Sequence, residues 1–197
     1  MKILAIQSSP NTDGLTGRLA QAVLQGAAAQ GAETELVHLN RLQIEACQAC
    51  GTGWGHHFKP QADGPQADEC ILQDDFAGLH TRVATADGLI FCTPVYFHDL
   101  SESAKVFLDR LRRCHWPLKE KSPLRGKGLV SVTAAGGTGN GALEAAVVLE
   151  KILLSFLGMK RIASLAVTRF NQEFQVEAGH GAGRLMVQML RNDSSAG

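Results

Sequence analysis

The chain predicts an α/β fold: a doubly wound sheet of five parallel strands in the order 2-1-3-4-5, with helices on both faces. Three observations predict it. The strand candidates are short, nearly continuous apolar runs, the pattern of strands buried on both faces. Each is followed by a segment of helical periodicity, and that alternation is the signature of parallel βαβ units. Segments of unusual composition follow strands one, three and four, where sheets of this kind bind ligands at their carboxyl ends.

The first strand spans residues 2–7 and enters a Ser/Pro/Asn/Asp/Gly cluster. Leu15, Leu19, Ala22, Val23 and Gly26 then recur at helical spacing, and Gly31 reads as the stop. Residues 35–39 form the second strand. Residues 43–70 break the rhythm with cysteines, glycines and a Pro-Gln-Ala-Asp sequence that occurs at 60–63 and 65–68. They read as an exposed insertion. A helix follows over 75–86 and the third strand over 88–93, ending at Pro94. Leu100, Ala104, Phe107, Leu108 and Leu111 make an apolar helical stripe, with Asp99 and Glu102 as its cap and capping partner. The fourth strand covers 128–134 and leads into a loop with Gly136, Gly137, Gly139 and Gly141. A helix over about 142–157, the fifth strand over 162–168 and a closing helix over about 176–190 complete a single domain, 1–197.

Composition narrows the function. The 197 residues carry 19 Lys+Arg and 19 Asp+Glu, and 45% are hydrophobic. Zero net charge speaks against an electrostatic nucleic-acid binder, and the apolar content against disorder. No apolar run approaches the roughly 20 residues of a membrane span. The opening apolar stretch is too short for a signal peptide, so the expectation is a cytoplasmic protein without membrane or nucleic-acid partners.

Three loops carry the chemistry. In Ser8-Ser9-Pro10-Asn11-Thr12-Asp13-Gly14-Leu15-Thr16, hydroxyls and the free N–H groups of a helix start suit a phosphate dianion. The P-loop lysine and the G-x-G-x-x-G pattern are both missing, so a monophosphate remains as the ligand. A plain capped turn answers the same pattern. In Thr93-Pro94-Val95-Tyr96-Phe97-His98-Asp99, two adjacent aromatics offer a wall for a planar amphipathic ring, or ordinary rim packing. The glycines after strand four let backbone N–H groups approach a ligand, or simply give a pliant connection.

These segments together resemble the flavodoxin-like NAD(P)H-dependent FMN reductase family, including its quinone reductase and iron–sulfur flavoprotein relatives. Residues 3–16 are similar to that family's strand and phosphate loop, and 86–97 to its flavin segment, continuing through Lys105, Phe107, Leu108, Asp109, Arg110 and Leu111. Thr133-Ala134-Ala135-Gly136-Gly137 resembles the third flavin contact, and Cys70-Ile71-Leu72-Gln73-Asp74-Asp75 the family's cysteine followed by paired acids. The resemblance runs from residue 2 to about 168. It implies bound FMN, with NADPH or NADH as reductant. It implies that Ser9, Asn11, Gly14, Leu15 and Thr16 hold the phosphate. Pro94, Val95, Tyr96 and Phe97 would line the isoalloxazine, and Ala135, Gly136 and Gly137 would face its pyrimidine side. His98 is the candidate proton donor to a quinone-type product, or a solvent-facing residue before a helix. The family commonly builds its site across a subunit interface, which implies a homodimer or homotetramer.

Five cysteines without a secretory signal speak against a disulfide framework. Cys92 reads as a small buried hydrophobe, and Cys114 has no assigned role. Cys47, Cys50 and Cys70 fall in one region, with His56 and His57 between them. Iron–sulfur relatives use four closely spaced cysteines, and the position near Gly53 has none. The expectation is reduced thiols with no cluster and no metal. The leading function is transfer of reducing equivalents from NAD(P)H through FMN to a small acceptor, such as a quinone or other aromatic oxidant. A flavodoxin-type electron carrier and an FMN-binding redox switch using Cys47 and Cys50 are the alternatives. Carriers of that kind are usually strongly acidic, which this chain is not.

Overall fold

A computed structural model describes residues 1–49 and 70–195. The chain runs β1 (Lys2–Gln7), α1 (Leu15–Ala28), β2 (Glu33–His38), α2 (Phe76–Thr85), β3 (Gly88–Tyr96), β4 (Asp99–Leu100), α3 (Glu102–His115), β5 (Gly128–Ala135), α4 (Ala142–Glu150), β6 (Lys160–Thr168) and α5 (Gln172–Ser195). The sheet order is β2-β1-β3-β5-β6, and all these neighbours are parallel. That is the predicted order once β4 is set aside. β4 is a two-residue strand antiparallel to β3, absent from the sequence reading. It arises because β3 continues through Pro94 to Tyr96 and then folds back, where a loop was expected.

Alternate strand residues divide the core in two. Ile3, Ala5, Ile90, Cys92, Val130 and Val132 pack with α1 and α5. Leu4, Ile6, Leu89, Phe91 and Leu129 pack with α2, α3 and α4. The period-2 alternation of β-strand side chains requires two such layers when every strand is apolar throughout.

The α3 stripe lies where the sequence placed it, but the cap does not. Ser101 is the N-cap, its hydroxyl accepting from the Ala104 N–H at 3.4 Å. Asp99 instead accepts from Leu100 N–H at 2.7 Å and from the Lys105 ammonium at 3.2 Å. Those bonds hold its carboxyl below the usual range, the backbone N–H contributing most and outweighing desolvation. At the far end of α3, His115 is fully buried. Its Nε2 lies 2.7 Å from Nε2 of His80 on α2, and its Nδ1 lies 3.0 Å from the Ser122 hydroxyl. α4 continues as a π-helical turn over Lys151–Phe156, and α5 is longer at both ends than the periodicity indicated.

The described base of the 43–70 insertion is clasped by the paired acids. Asp74 accepts from the Glu45 N–H at 2.8 Å and Asp75 from the Gln43 N–H at 2.7 Å. The Asp75 N–H donates to the Gln43 carbonyl at 3.1 Å. The fully buried Arg110 of α3 donates to Asp74 at 2.5 Å and to the Glu45 carbonyl at 3.2 Å. Desolvation pushes the Asp74 carboxyl up, but Arg110 and two backbone N–H groups outweigh it and hold it below the usual range. Cys50, His56, His57 and the Pro-Gln-Ala-Asp sequences lie outside the described residues.

Candidate flavin site

The sheet brings the three predicted loops together, because β1, β3 and β5 are adjacent strands. Thr93 and Pro94 stand opposite Thr133 and Ala134, and the Ser8 N–H donates to the Cys92 carbonyl at 2.9 Å. The first loop therefore leaves beside the second, and the second beside the third.

The first loop is built to leave a helix start open. Gly14 is the N-cap of α1, no side chain caps the helix, and its first turn has no acidic residue. The orphan N–H groups and the positive end of the helix dipole are left for a ligand. Ser9 and Thr16 are buried, and Asn11 is exposed. The Ser9 hydroxyl accepts from the Asn11 N–H at 3.2 Å, and the Asn11 side-chain oxygen accepts from the Asp13 N–H at 3.2 Å. Gly17 is obligatory here: a Cβ would stand 2.0 Å from the Thr12 carbonyl oxygen, so the loop rests directly on the helix backbone. These donors, with no carboxylate in the first turn of α1, fit a phosphate monoester.

The second loop is a two-residue hairpin turn. Tyr96 pairs with Asp99, and the central residues Phe97 and His98 have φ of 50° and 66°. Positive φ at both positions is the requirement of a type I′ turn, and one normally met by Asn or Gly. A phenylalanine held there is strained. Phe97 is 102% exposed and Tyr96 45%. The hairpin rests on the third loop: Gly141 has φ of 86°, and a Cβ on it would meet the His98 Cα at 2.7 Å. His98 Nδ1 lies 4.0 Å from Glu144, at the start of α4, and both side chains are exposed. Pro94 is buried and Val95 half-buried. Ala135 is buried, and Gly136 and Gly137 are exposed with nothing near their missing Cβ positions. An open glycine edge beside an aromatic pair leaves room for a flat ring.

A hydroxyl network ties these strand ends, and sequence reasoning missed it. The Ser8 hydroxyl lies 2.9 Å from that of Ser101, and Ser101 N–H donates to the Thr93 hydroxyl at 3.2 Å. The Ser8 carbonyl accepts from Asn40 at 2.5 Å and from Ser103 at 3.1 Å. A run of small hydroxyl residues at successive strand ends was the available signal. Beside the network opens a groove of about 750 Å³, with Leu39, Leu42, Ile44 and Val106 on its apolar side and Tyr96 and Phe97 at its lip. Of the predicted site residues only Tyr96 and Phe97 line it. The other predicted residues sit at the β1 and β5 ends and, for Pro94, Val95 and His98, on β3 and its turn, so the groove adjoins their cradle and does not coincide with it.

The model of the NADPH-dependent FMN reductase family matches residues 1–172, and the chain belongs to that family. Its cofactor is accordingly FMN and its reductant NAD(P)H. The chain is 29% identical over 184 residues to an iron–sulfur flavoprotein of Methanocaldococcus jannaschii, covering 93% of this chain and 84% of that one. It is 29% identical over 147 residues to an iron–sulfur flavoprotein of Methanosarcina thermophila, covering 73% and 68%. Among solved structures it shares its fold with an NAD(P)H:quinone oxidoreductase from Methanothermobacter marburgensis. The TM-score is 0.67 at 20% identity, covering 93% of this chain and 94% of that one. A flavone reductase matches with a TM-score of 0.70 at 19% identity, covering 100% and 65%.

Proposed function

We propose that the chain, as a single domain over 1–197, passes reducing equivalents from NADPH or NADH to a small acceptor, a quinone or other aromatic oxidant. The observation that carries this reading is the exposed Tyr96–Phe97 pair. It sits on a strained hairpin between an uncapped helix start and an open glycine edge. Strain of this kind persists where function needs it.

Bound FMN supplies the hydride and electron-pair chemistry, and the protein positions and shields. Ser9, Asn11, Gly14, Leu15 and Thr16 hold the phosphate with hydroxyls and the α1 N–H groups. Pro94, Val95, Tyr96 and Phe97 line the ring system, and Ala135, Gly136 and Gly137 border its pyrimidine side. NAD(P)H and the acceptor use the same exposed side in turn. His98, next to the aromatic pair and facing Glu144, delivers a proton to a quinone-type product. Large apolar side chains stand exposed on α4, in the turn before α5 and at the start of α5, namely Leu143, Val147, Phe170 and Phe174. They support a homodimer or homotetramer that covers them. No helix among the described residues is long and apolar enough to cross a membrane, which accords with a cytoplasmic location. Zero net charge favours this reading over an acidic electron carrier.

Steady-state kinetics of the FMN-loaded protein with NADPH, NADH and a panel of quinones test the reading. Parallel double-reciprocal lines, with quinones outpacing ferric complexes, are expected. Turnover with one-electron protein acceptors alone would overturn it in favour of the carrier.

A further inference from the structure

The two iron–sulfur flavoproteins named above raise the question whether this chain's donor set fits a cluster. A four-thiolate cluster needs four cysteines that face one point. The chain has five. Cys92 is wholly buried in β3, within the α1–α5 layer of the core, where burial pushes its thiol far up. Cys114 is buried on α3 in the opposite layer. The sheet itself separates these two from each other, and both are part of the packed interior. Three cysteines remain, one short of the set.

Of those three, Cys70 is already engaged. Its Sγ accepts from Nη2 of Arg110 at 3.2 Å, and it packs against the α2–α3 core. Arg110 is 1% exposed and lies 4.2 Å over the Phe76 ring. The same guanidinium holds Asp74 and the Glu45 carbonyl. One buried cation thus fixes both described ends of the insertion, and Cys70 is one of its four contacts. Among the described residues no group of three or more His, Cys, Asp or Glu is arranged to hold a metal ion.

We infer that this chain carries no iron–sulfur cluster of the four-cysteine kind and that Cys70 serves with Arg110 as a tie closing the base of the insertion. The inference rests on the reductase reading and deepens it. With no such cluster to relay single electrons, the acceptor meets the flavin itself, at the Tyr96–Phe97 lip.

The test uses the whole chain, purified anaerobically and then incubated with ferrous iron, sulfide and a thiol reductant before desalting. FMN, iron and acid-labile sulfide are counted per chain. FMN near one with sulfide below about 0.1 is expected. Iron or zinc retained without sulfide also leaves the inference standing, since neither is a cluster. Stoichiometric iron and sulfide, with a broad absorbance shoulder, would overturn it. Absence of FMN with absence of sulfide would sink the reductase reading while leaving the cluster-free assignment intact. For the tie, Cys70→Ala is expected to lower Tm by about 5 °C, and Cys70→Ser, which keeps an acceptor, to restore roughly half. FMN content and the flavin spectrum stay unchanged in both. An unaltered Tm in Cys70→Ala would overturn the tie.

Discussion

Replacing Phe97 with asparagine should make the protein more stable and less active. Phe97 has φ of 50° and is 102% exposed, so its ring buries nothing in the folded chain. A left-handed backbone costs a residue with a Cβ about 1–2 kcal/mol, and asparagine tolerates that region because its short amide bonds locally. Relief of roughly 1 kcal/mol raises Tm by about 2–4 °C for a chain of this size. Loss of the aromatic wall removes a stacking contact of about 0.5–1.5 kcal/mol with a planar acceptor, a fall of roughly three- to tenfold in kcat/KM. Thermal unfolding and quinone-dependent NAD(P)H oxidation read the two effects on the same preparation. A lower Tm would mean that the ring contributes packing. An unchanged kcat/KM would mean that the exposed aromatic has no part in the reaction. Either result refutes the reasoning.

Other substitutions and conditions probe separate links. Gly17→Ala forces a Cβ onto the Thr12 carbonyl and should weaken FMN binding at least about tenfold, measured by titration of the apoprotein; retained affinity would refute the loop assignment. Arg110→Met strips the half-buried Asp74 of its cation, leaving it two backbone N–H donors, and should cost about 2–3 kcal/mol in urea unfolding, with FMN affinity largely kept. Burial, then His80 and Lys127, push His115 down to about 3. An unfolded histidine titrates near 6.5, so the unfolded chain binds the extra proton first. The stability from this group is present above pH 6.5 and is lost as pH falls towards 3. Its share of the loss is about 2 kcal/mol between pH 7 and pH 5, and His115→Gln should flatten that slope in denaturant titrations.

The strands were legible because burial on both faces leaves continuous apolar runs such as 2–7 and 128–134. The loop after β1 was legible as a strand-to-helix connection from its hydroxyls and Gly14, the N-cap of α1. The β3–β4 hairpin was not, because Phe97 and His98 are not residues that turn chemistry places at positive φ; tertiary support from Gly141 overrides the local preference. The Asp99 cap was misplaced by two residues, since Asp and Ser both cap and only the backbone decides which one faces the open N–H groups. The paired acids were visible as a motif, yet their work of clasping the insertion through Arg110 is a long-range contact, and a single sequence carries no record of such a pairing. Asn40 and Ser103 meet Ser8 for the same reason, only after the sheet has formed.

The central claim is that the β1, β3 and β5 loops form one FMN site open to NAD(P)H. An anaerobic absorbance titration of the FMN-loaded protein with NADPH and NADH tests it most directly. Rapid bleaching of the flavin bands at one equivalent of nucleotide, with colour restored on adding a quinone, is the expected result. A protein that takes up no FMN, or whose flavin stays oxidised under both nucleotides, would contradict the account.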